Sequence, residues 1–283
     1  MRKKKVFGVF LIIGLLVGTA LLMYPTISNY WNSFHQSKAV AAYIDSMQRL
    51  DSVDSSLIIE QAEKYNDKLL DQSLRLFLNE TEREEYNEAL DITGTGIMGY
   101  IEIPSINVAL PIFHGTSDEV LQIAVGHIEG TSLPIGGKGC HSVLSGHRGL
   151  TSARLFTDLY KLTEGDVFTV TVLDNVLTYE VDQIRTVLPD ELAELKRDAD
   201  NDYCTLVTCT PYSVNTHRLL VRGHRIENEG NASSIRITAD ANRVDPTLVA
   251  PVLYLPLLVI LTVWLMIDDR IKKKEERYLD EMY

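Results

Sequence analysis

A cysteine and an arginine stand at the two ends of a short polar loop in TLVTCTPYSVNTHRLLVRG, residues 205–223. The run from Thr205 to Cys209 is β-branched and apolar, as in a buried strand, and Pro211 prevents its regular continuation. A second apolar run begins at Arg218. If the two runs pair as an antiparallel hairpin, the loop returns Arg218 to the rim where Cys209 lies. The spacing therefore predicts a thiol nucleophile beside a cation that has no local anion and can stabilise developing negative charge.

A cysteine nucleophile also needs a partner that moves protons, usually a histidine. His147 is the best candidate among seven, because it ends the run HSVLSGH and is followed by Arg148 and Gly149, a strand end that opens into a turn. His141 begins the same run and would lie about 20 Å away at the opposite rim. A metal site built from both histidines and Cys140 is disfavoured, because the ligand spacing matches no tetrahedral site.

Size, charge and cysteine count limit the class of protein. The chain has 283 residues, 45% of them hydrophobic, so we expect one main domain with appendages. A formal net charge of −12 excludes a generally basic nucleic-acid-binding protein. Three cysteines are too few for a disulfide-built scaffold and leave at least one thiol unpaired; a disulfide between Cys140 and Cys204 is an alternative.

Two apolar runs near the ends predict membrane anchoring. Residues 6–24 follow four basic residues, and residues 247–267 precede a basic tail. Each run is long enough to cross a hydrocarbon core of ~30 Å. The basic clusters lie on the outer sides of both runs, so both termini are predicted to be cytoplasmic and the segment between them extracellular. The alternatives are a cleaved signal peptide for the first run and a buried core helix for the second.

The spacing of apolar residues along the chain changes at Gly94. From residue 37 to 90, apolar residues recur at helical spacing, which predicts two or three helices that either pack as an arm on the main domain or act only as a stalk. Short alternating runs then predict a mainly β domain, a closed barrel with short helices. Predicted strands are 98–103, 107–112, 142–146, 167–173, 177–187, 203–209 and 218–222, and predicted helices are 119–125 and 152–161.

The predicted domain organisation follows from these patterns. In order it is a cytoplasmic N-terminus (1–5), a transmembrane helix (6–24), an extracytoplasmic helical extension (25–93), a β-barrel catalytic domain (94–228), a linker (229–246), a second transmembrane helix (247–267) and a basic cytoplasmic tail (268–283).

Three ordered motifs resemble those of the sortase family. A lone cysteine in a β-run is more often a small buried hydrophobe, but TLVTCTPYSVNTHR resembles the sortase signature, a Thr-Leu-x-Thr-Cys followed by a polar loop and an arginine. LPIGGKGCHSVLSGHRGLTSARLFTDL resembles the region of the catalytic histidine, and with GYIEIPSINVALPIFHGTS the likeness covers residues 94–226. TCTPYSVNTHRLLVRG, the helical extension and the second membrane run resemble class C, the pilus-assembling sortases.

The resemblance implies the sortase β-barrel and transpeptidation. Cys209 would attack the Thr carbonyl of an LPxTG-like sorting signal and release the fragment that begins with Gly. His147 would protonate the leaving amine and later deprotonate the incoming one, while Arg218 would stabilise the oxyanion or hold the substrate backbone.

The same resemblance suggests partners and further contacts. Thr208, Leu144 and Ser145 flank the site in the family pattern and are predicted to contact the peptide. The acceptor would be a lysine of another pilin subunit, or an amino group of a peptidoglycan precursor for the last subunit. The expected partners are pilins with sorting signals and the lipid membrane; no cofactor, metal or nucleic acid is implied.

One departure from the class C pattern and three rival functions stay open. Many class C sortases carry an Asp-Pro-aromatic lid ahead of the barrel, and none lies between Ser37 and Gly94, where the nearest text is LFLNE at 76–80. Either the lid is absent or another residue of the helical segment plugs the groove; we expect an open site. The rivals are a sortase that only anchors proteins to the wall, a hydrolytic thiol peptidase, and a non-catalytic membrane scaffold.

Overall fold

The computed structural model describes residues 2–70, 74, 76, 78–228, 267, 270–271 and 278. The chain divides into two units, one formed by Asn29–Ile237 and the other by Met1–Ser28 with Thr238–Tyr283. The predicted linker at 229–246 and nearly all of the predicted span at 247–267 and tail at 268–283 lie outside the described residues. Among the residues that are described, no helix combines the length and apolarity needed to cross a bilayer, so the predicted span at 6–24 is not confirmed.

Within residues 97–226, eight strands form a closed barrel. The order around the barrel is β1, β2, β3, β4, β7, β8, β6, β5, and β5 pairs with β1 to close it. The pairs β2–β3 and β4–β7 are parallel and the other pairs are antiparallel. The strands are β1 (Ile97–Ile103), β2 (Val108–His114), β3 (Val125–His127), β4 (His141–Ser145), β5 (Val167–Val172), β6 (Asn175–Val187), β7 (Tyr203–Thr210) and β8 (His217–Ile226).

The predicted mainly β barrel is confirmed, with two local corrections. Strand β3 was not predicted, because its three residues are too short to show an alternating pattern. The predicted helix at 152–161 is wrong, since this segment contains turns and a short 3-10 helix at Leu159–Lys161. Leu155 has a φ of +38°, and the N–H of Phe156 donates to the carbonyl oxygen of His147. In an α-helix each N–H donates to the carbonyl four residues earlier, so a bond from Phe156 to His147 is incompatible with a continuous helix.

Four α-helices occur within the described part of residues 2–228. They are α1 (Arg2–Gln48), α2 (Ser52–Leu70), α3 (Glu80–Glu88) and α4 (Asp118–Ile123). Helix α1 continues through the predicted boundary between residues 24 and 25, with Pro25 inside it. Helix α3 begins with a capping box, in which the side chains of Asn79 and Glu82 each accept a hydrogen bond from the other residue's backbone N–H at 2.9 Å.

The helices at residues 29–90 are an arm that shares the barrel core. Tyr43 is fully buried, and its hydroxyl donates to the carbonyl oxygen of Met98 and accepts from the N–H of Leu173. Asn66, also buried, exchanges two hydrogen bonds with the backbone of Leu133. Such buried polar groups are costly to leave unpaired. The arm is therefore a packed part of the domain and not only a stalk.

Helix α1 also holds the turn that follows β4. The side-chain amide of Asn32 donates to the carbonyl oxygen of Ser152 at 2.8 Å, and the N–H of Arg154 donates to the side-chain oxygen of Asn29 at 2.9 Å. These contacts link the arm to the turn that begins at His147.

A buried histidine joins α3 to the barrel. Nε2 of His127 lies 2.8 Å from the carbonyl oxygen of Ser132, to which it must donate, and Nδ1 lies 2.9 Å from the hydroxyl of Tyr86. Burial is the main cause that lowers the pKa of His127 to about 4. The imidazole is therefore neutral, with its proton on Nε2 and with Nδ1 accepting from Tyr86.

This histidine makes stability depend on pH. With a folded pKa of about 4 and an unfolded pKa of about 6.5, the unfolded chain takes up a proton that the folded protein does not. The contribution of His127 to the free energy of unfolding should be present in full above about pH 6.5. It should be lost, by up to about 3 kcal/mol, as the pH falls from about 6.5 through about 4.

Urea denaturation from pH 7 to pH 4 measures this slope. His127→Gln should flatten it, whereas the exposed His35→Gln, as a matched control, should leave it unchanged. An identical slope in His127→Gln and the native protein would show that another group causes the acid sensitivity.

Candidate active site

Cys209 and Arg218 are direct partners across the β7–β8 hairpin. The strands pair antiparallel with Cys209 opposite Arg218 and Thr210 opposite His217. Directly opposed residues of antiparallel strands have Cα atoms about 4.5–5.5 Å apart. The hairpin therefore brings the thiol-bearing and guanidinium-bearing residues to the same rim of the barrel, as their spacing in the sequence predicts.

Arg218 keeps its positive charge uncompensated. Its Nη1 donates to the carbonyl oxygens of Asn215 and His217, each at 3.1 Å. Within the described part of the chain, no carboxylate lies within ion-pair distance of Arg218. The two carbonyls orient the guanidinium without neutralising it, so its charge is available to an anion.

His147 lies at the position that would be paired with Cys209 if the β4–β7 ladder continued. β4 and β7 run parallel, and the last pair of their ladder is Ser145 with Val207. One residue further on, the N–H of Gly146 still donates to the carbonyl oxygen of Val207 at 3.0 Å. His147 is two residues beyond Ser145, and Cys209 is two residues beyond Val207. Both candidates therefore lie just past the end of the same parallel ladder.

Side-chain contacts continue this pairing where the backbone ladder ends. The hydroxyl of Thr208 donates to the carbonyl oxygen of Gly146 at 2.7 Å. Nη1 of Arg148 donates to the hydroxyl of Thr210 at 3.1 Å. The contacting residues of one segment flank His147, and those of the other segment flank Cys209. The two hydrogen bonds therefore hold the segments together at these candidates.

Two glycines allow the segments to pack this closely. A β-carbon at Gly146 would lie 2.7 Å from the ring of Phe156. Gly149 has a φ of +79°, and a β-carbon there would lie 2.7 Å from the ring of Tyr212 in the β7–β8 loop. A side chain at either position would displace the turn that carries His147.

The other two cysteines are unsuited to act as the nucleophile. Burial raises the pKa of Cys140 to about 11 and the pKa of Cys204 well above its usual range. Both therefore stay protonated at neutral pH, whereas Cys209 is partly exposed. All three cysteines lie among the described residues and carry free thiols, so the alternative of a disulfide between Cys140 and Cys204 is wrong.

His141 is a hydrogen-bonding residue of the interior, at the opposite end of β4 from His147. Its Nδ1 lies 2.8 Å from the carbonyl oxygen of Lys196 and donates to it, and its Nε2 lies 2.7 Å from the hydroxyl of Thr205. Burial lowers the pKa of His141, so the ring is neutral and Nε2 accepts from Thr205. The prediction that one strand cannot place both histidines at the same thiol is confirmed.

The three residues predicted to contact substrate lie in different environments. Leu144 is fully buried in the barrel core, and Thr208 is 2% exposed with its hydroxyl bound to Gly146. Side-chain contact with a substrate is therefore not supported at these two positions, because both side chains are enclosed by the strand ends. Ser145 is partly exposed at the end of β4, and its contact with substrate stays a prediction.

Cys209 shares one face of β7 with an apolar cluster. Side chains alternate along a strand, so Val207 and Cys209 point outward while Leu206 and Thr208 point into the barrel. We name this group the outer-face cluster; its buried members and the partly buried residues packed against them are Val143, Leu195, Val207, Leu220, Leu74, Ile128, Val187 and Leu192. The candidate nucleophile therefore lies on the same face of β7 as a second, buried apolar cluster.

Leu74 brings the arm to this surface. It lies between α2 and α3 and packs, partly buried, against the outer-face cluster. The segment thus has an apolar anchor on the face that bears Cys209, although the Asp-Pro-aromatic tripeptide is missing. The open site that the sequence analysis predicts remains a prediction.

Two residues that join the segments of the site, Arg148 and Thr210, were not among the predicted site residues. Arg148 and Thr210 are 62 residues apart, and only the β4–β7 pairing brings them together.

Comparison with known proteins gives consistent matches. The profile of the sortase domain matches residues 101–226, which contain Cys209, His147 and Arg218. The crystal structure of sortase C1 from Streptococcus agalactiae is 54% identical with a TM-score of 0.67, over 68% of this chain and 100% of that chain. A Clostridium perfringens sortase C structure with the C-terminal cell wall sorting motif is 43% identical with a TM-score of 0.60, over 68% and 100%. Sortase A of Bacillus anthracis is 25% identical over 79% of this chain and 96% of its own length.

Replacing Leu74 with serine tests whether the arm restricts access to Cys209. At an open site, the rate at which a maleimide alkylates Cys209 should be the same in Leu74→Ser and in the native protein, as followed by mass spectrometry of the labelled peptide. Leu57→Ser, on an exposed position of α2, is the matched control for a leucine-to-serine change in the arm. A rate several-fold higher in Leu74→Ser, but not in Leu57→Ser, would show that the arm covers the thiol and would refute the open site.

Proposed function

Since this chain belongs to the sortase family, whose members are cysteine transpeptidases, we propose that it joins two proteins through a thioester on Cys209. One observation carries the proposal. Cys209 is the cross-strand partner of Arg218 and occupies the register position of His147 just past the β4–β7 ladder. A thiol, a proton carrier and a cation at one rim are the groups that acyl transfer requires.

The first step forms the thioester. The proton of the Cys209 thiol passes to His147, and the thiolate attacks the Thr carbonyl of an LPxTG-like sorting signal. The C–N bond to the following Gly breaks, and His147 returns the proton to the leaving amine. The acyl group stays on sulfur while the Gly fragment departs.

Arg218 stabilises the charge that appears during this step. The oxygen of the substrate carbonyl is uncharged in the ground state and becomes negative in the tetrahedral intermediate. The guanidinium is already oriented by the carbonyl oxygens of Asn215 and His217, so it needs little rearrangement when the charge develops.

The second step transfers the acyl group to a lysine amine of another pilin subunit. The amine loses a proton to His147, a C–N bond forms, and the C–S bond breaks to restore the Cys209 thiolate. Repetition would polymerise pilins into pili. The 54% identity to a sortase C1, together with the resemblance to the pilus-assembling class, supports this choice of acceptor over a peptidoglycan-precursor amine.

The proposed donor substrate is a protein that carries an LPxTG-like sorting signal. The C. perfringens sortase C structure that contains a cell wall sorting motif supports this class of substrate.

The proposal places the catalytic domain outside the cell membrane and both termini in the cytoplasm. It rests on the apolar runs at 6–24 and 247–267 and on the basic residues that flank their outer sides. Pilin subunits and peptidoglycan precursors would reach the site on that side.

Cys209→Ala should abolish the joined product. The enzyme is incubated with a pilin that carries an LPxTG-like signal and with its partner subunit, and mass spectrometry detects a Thr-to-lysine isopeptide. Cys204→Ala removes a thiol of the interior and, as the control, should retain the product. Product formation by Cys209→Ala would refute the mechanism. Cleavage without joining would favour wall anchoring or hydrolysis, and absence of any thioester would favour a non-catalytic scaffold.

Arg218→Gln should lower kcat about 10²- to 10³-fold with little change in KM, because the cation acts on charge present only in the transition state. Steady-state kinetics with a quenched fluorescent sorting peptide measure both constants. Arg185→Gln removes the same charge from an exposed position on β6 and should change neither. A rise in KM with unchanged kcat in Arg218→Gln would instead make Arg218 a residue that only holds the substrate.

A further inference from the structure

We propose that Arg148 is a positioning residue that holds His147 against Cys209 through its hydrogen bond to Thr210 and its stacking on Tyr160. The inference rests on the proposed function, since it concerns the alignment of the general acid with the nucleophile.

Arg148 is held from two sides. Its Nη1 donates to the hydroxyl of Thr210 at 3.1 Å, and its guanidinium carbon lies 4.8 Å from the centre of the Tyr160 ring. Its Nε is buried and has no hydrogen-bond partner. An unrestrained arginine side chain would adopt a conformation that exposes this N–H to water, because an unpaired buried donor is unfavourable. The contacts with Thr210 and Tyr160 therefore outweigh that loss and fix the side chain in place.

The position of this contact in the chain links it to catalysis. Arg148 directly follows His147, and Thr210 directly follows Cys209. The backbone ladder ends at Ser145 and Val207, two residues before His147 and Cys209.

On the near side, the Thr208 hydroxyl bonded to Gly146 ties the two segments together. On the far side, the bond from Arg148 to Thr210 is the corresponding tie. Helix α1 holds the later part of the turn at Ser152 and Arg154, whereas the bond from Arg148 holds its first residues directly to the segment of Cys209.

The chemistry of both partners fits this role. A planar guanidinium can stack on an aromatic ring and donate a directed hydrogen bond at the same time, which a lysine ammonium cannot do. Threonine supplies the acceptor oxygen, and valine has the same shape without it. Thr210→Val therefore deletes the contact, while Thr210→Ser keeps the hydroxyl.

The experiment measures epistasis with His147 in the full-length enzyme. The variants are Thr210→Val, Thr210→Ser and Arg148→Gln, each in the native protein and in the His147→Asn background. Two substrates share one sorting sequence: a peptide amide, and a thioester whose thiolate leaving group needs no proton and keeps the His147→Asn reaction measurable.

Positioning through His147 gives a defined pattern. With native His147, Thr210→Val and Arg148→Gln should lower kcat on the amide roughly 10- to 100-fold with KM unchanged, and Thr210→Ser should match the native enzyme. In the His147→Asn background, both substitutions should change the thioester rate less than twofold, because the group they position is gone.

Three outcomes would overturn the inference. They are native kcat in Thr210→Val, a loss in Thr210→Ser equal to that in Thr210→Val, and a loss that persists undiminished in the His147→Asn background. The last would mean that the contact supports Cys209 or the fold. The proposed function fails separately, if His147→Asn alone turns over the amide at the native rate.

Discussion

The parallel pairing of β4 with β7 is the constraint on which the site depends. A parallel pair cannot be closed by a tight turn, so the two strands come from distant parts of the chain and are held by the barrel around them. Their ladder runs as far as Ser145 and Val207, and the next residues follow in step. His147 and Cys209 are therefore neighbours because of backbone register. The hairpin from β7 to β8 then adds Arg218 on the other side of the thiol.

The alternation of side chains along β7 separates structure from chemistry. Leu206 and Thr208 face the interior, where one fills the core and the other ties down Gly146. Val207 and Cys209 face outward, and Cys209 is partly exposed at the strand end, so the candidate thiol is reached without opening the core. The buried Cys204 on the same strand shows the contrast, since enclosure by the core keeps its thiol protonated.

The helical arm contacts both the core and the outer face of the barrel. Tyr43, Asn66 and Tyr86 make hydrogen bonds to barrel groups that would otherwise be buried without partners. Leu74 carries the same arm onto the outer face beside the site. The segment that could have been only a stalk is thus an integral layer of the domain.

The sequence by itself determined the β-rich class, most strand positions, and the pairing of Cys209 with Arg218 across a short loop, because each of these depends on residues close together in the chain. It also selected His147 over His141 by strand length. Tertiary structure alone decided which strands meet in parallel, that Leu144 is enclosed in the core, and that residues 152–161 fold back instead of forming a helix. These features depend on contacts between distant segments, and no local pattern of hydrophobic or turn-forming residues encodes such contacts.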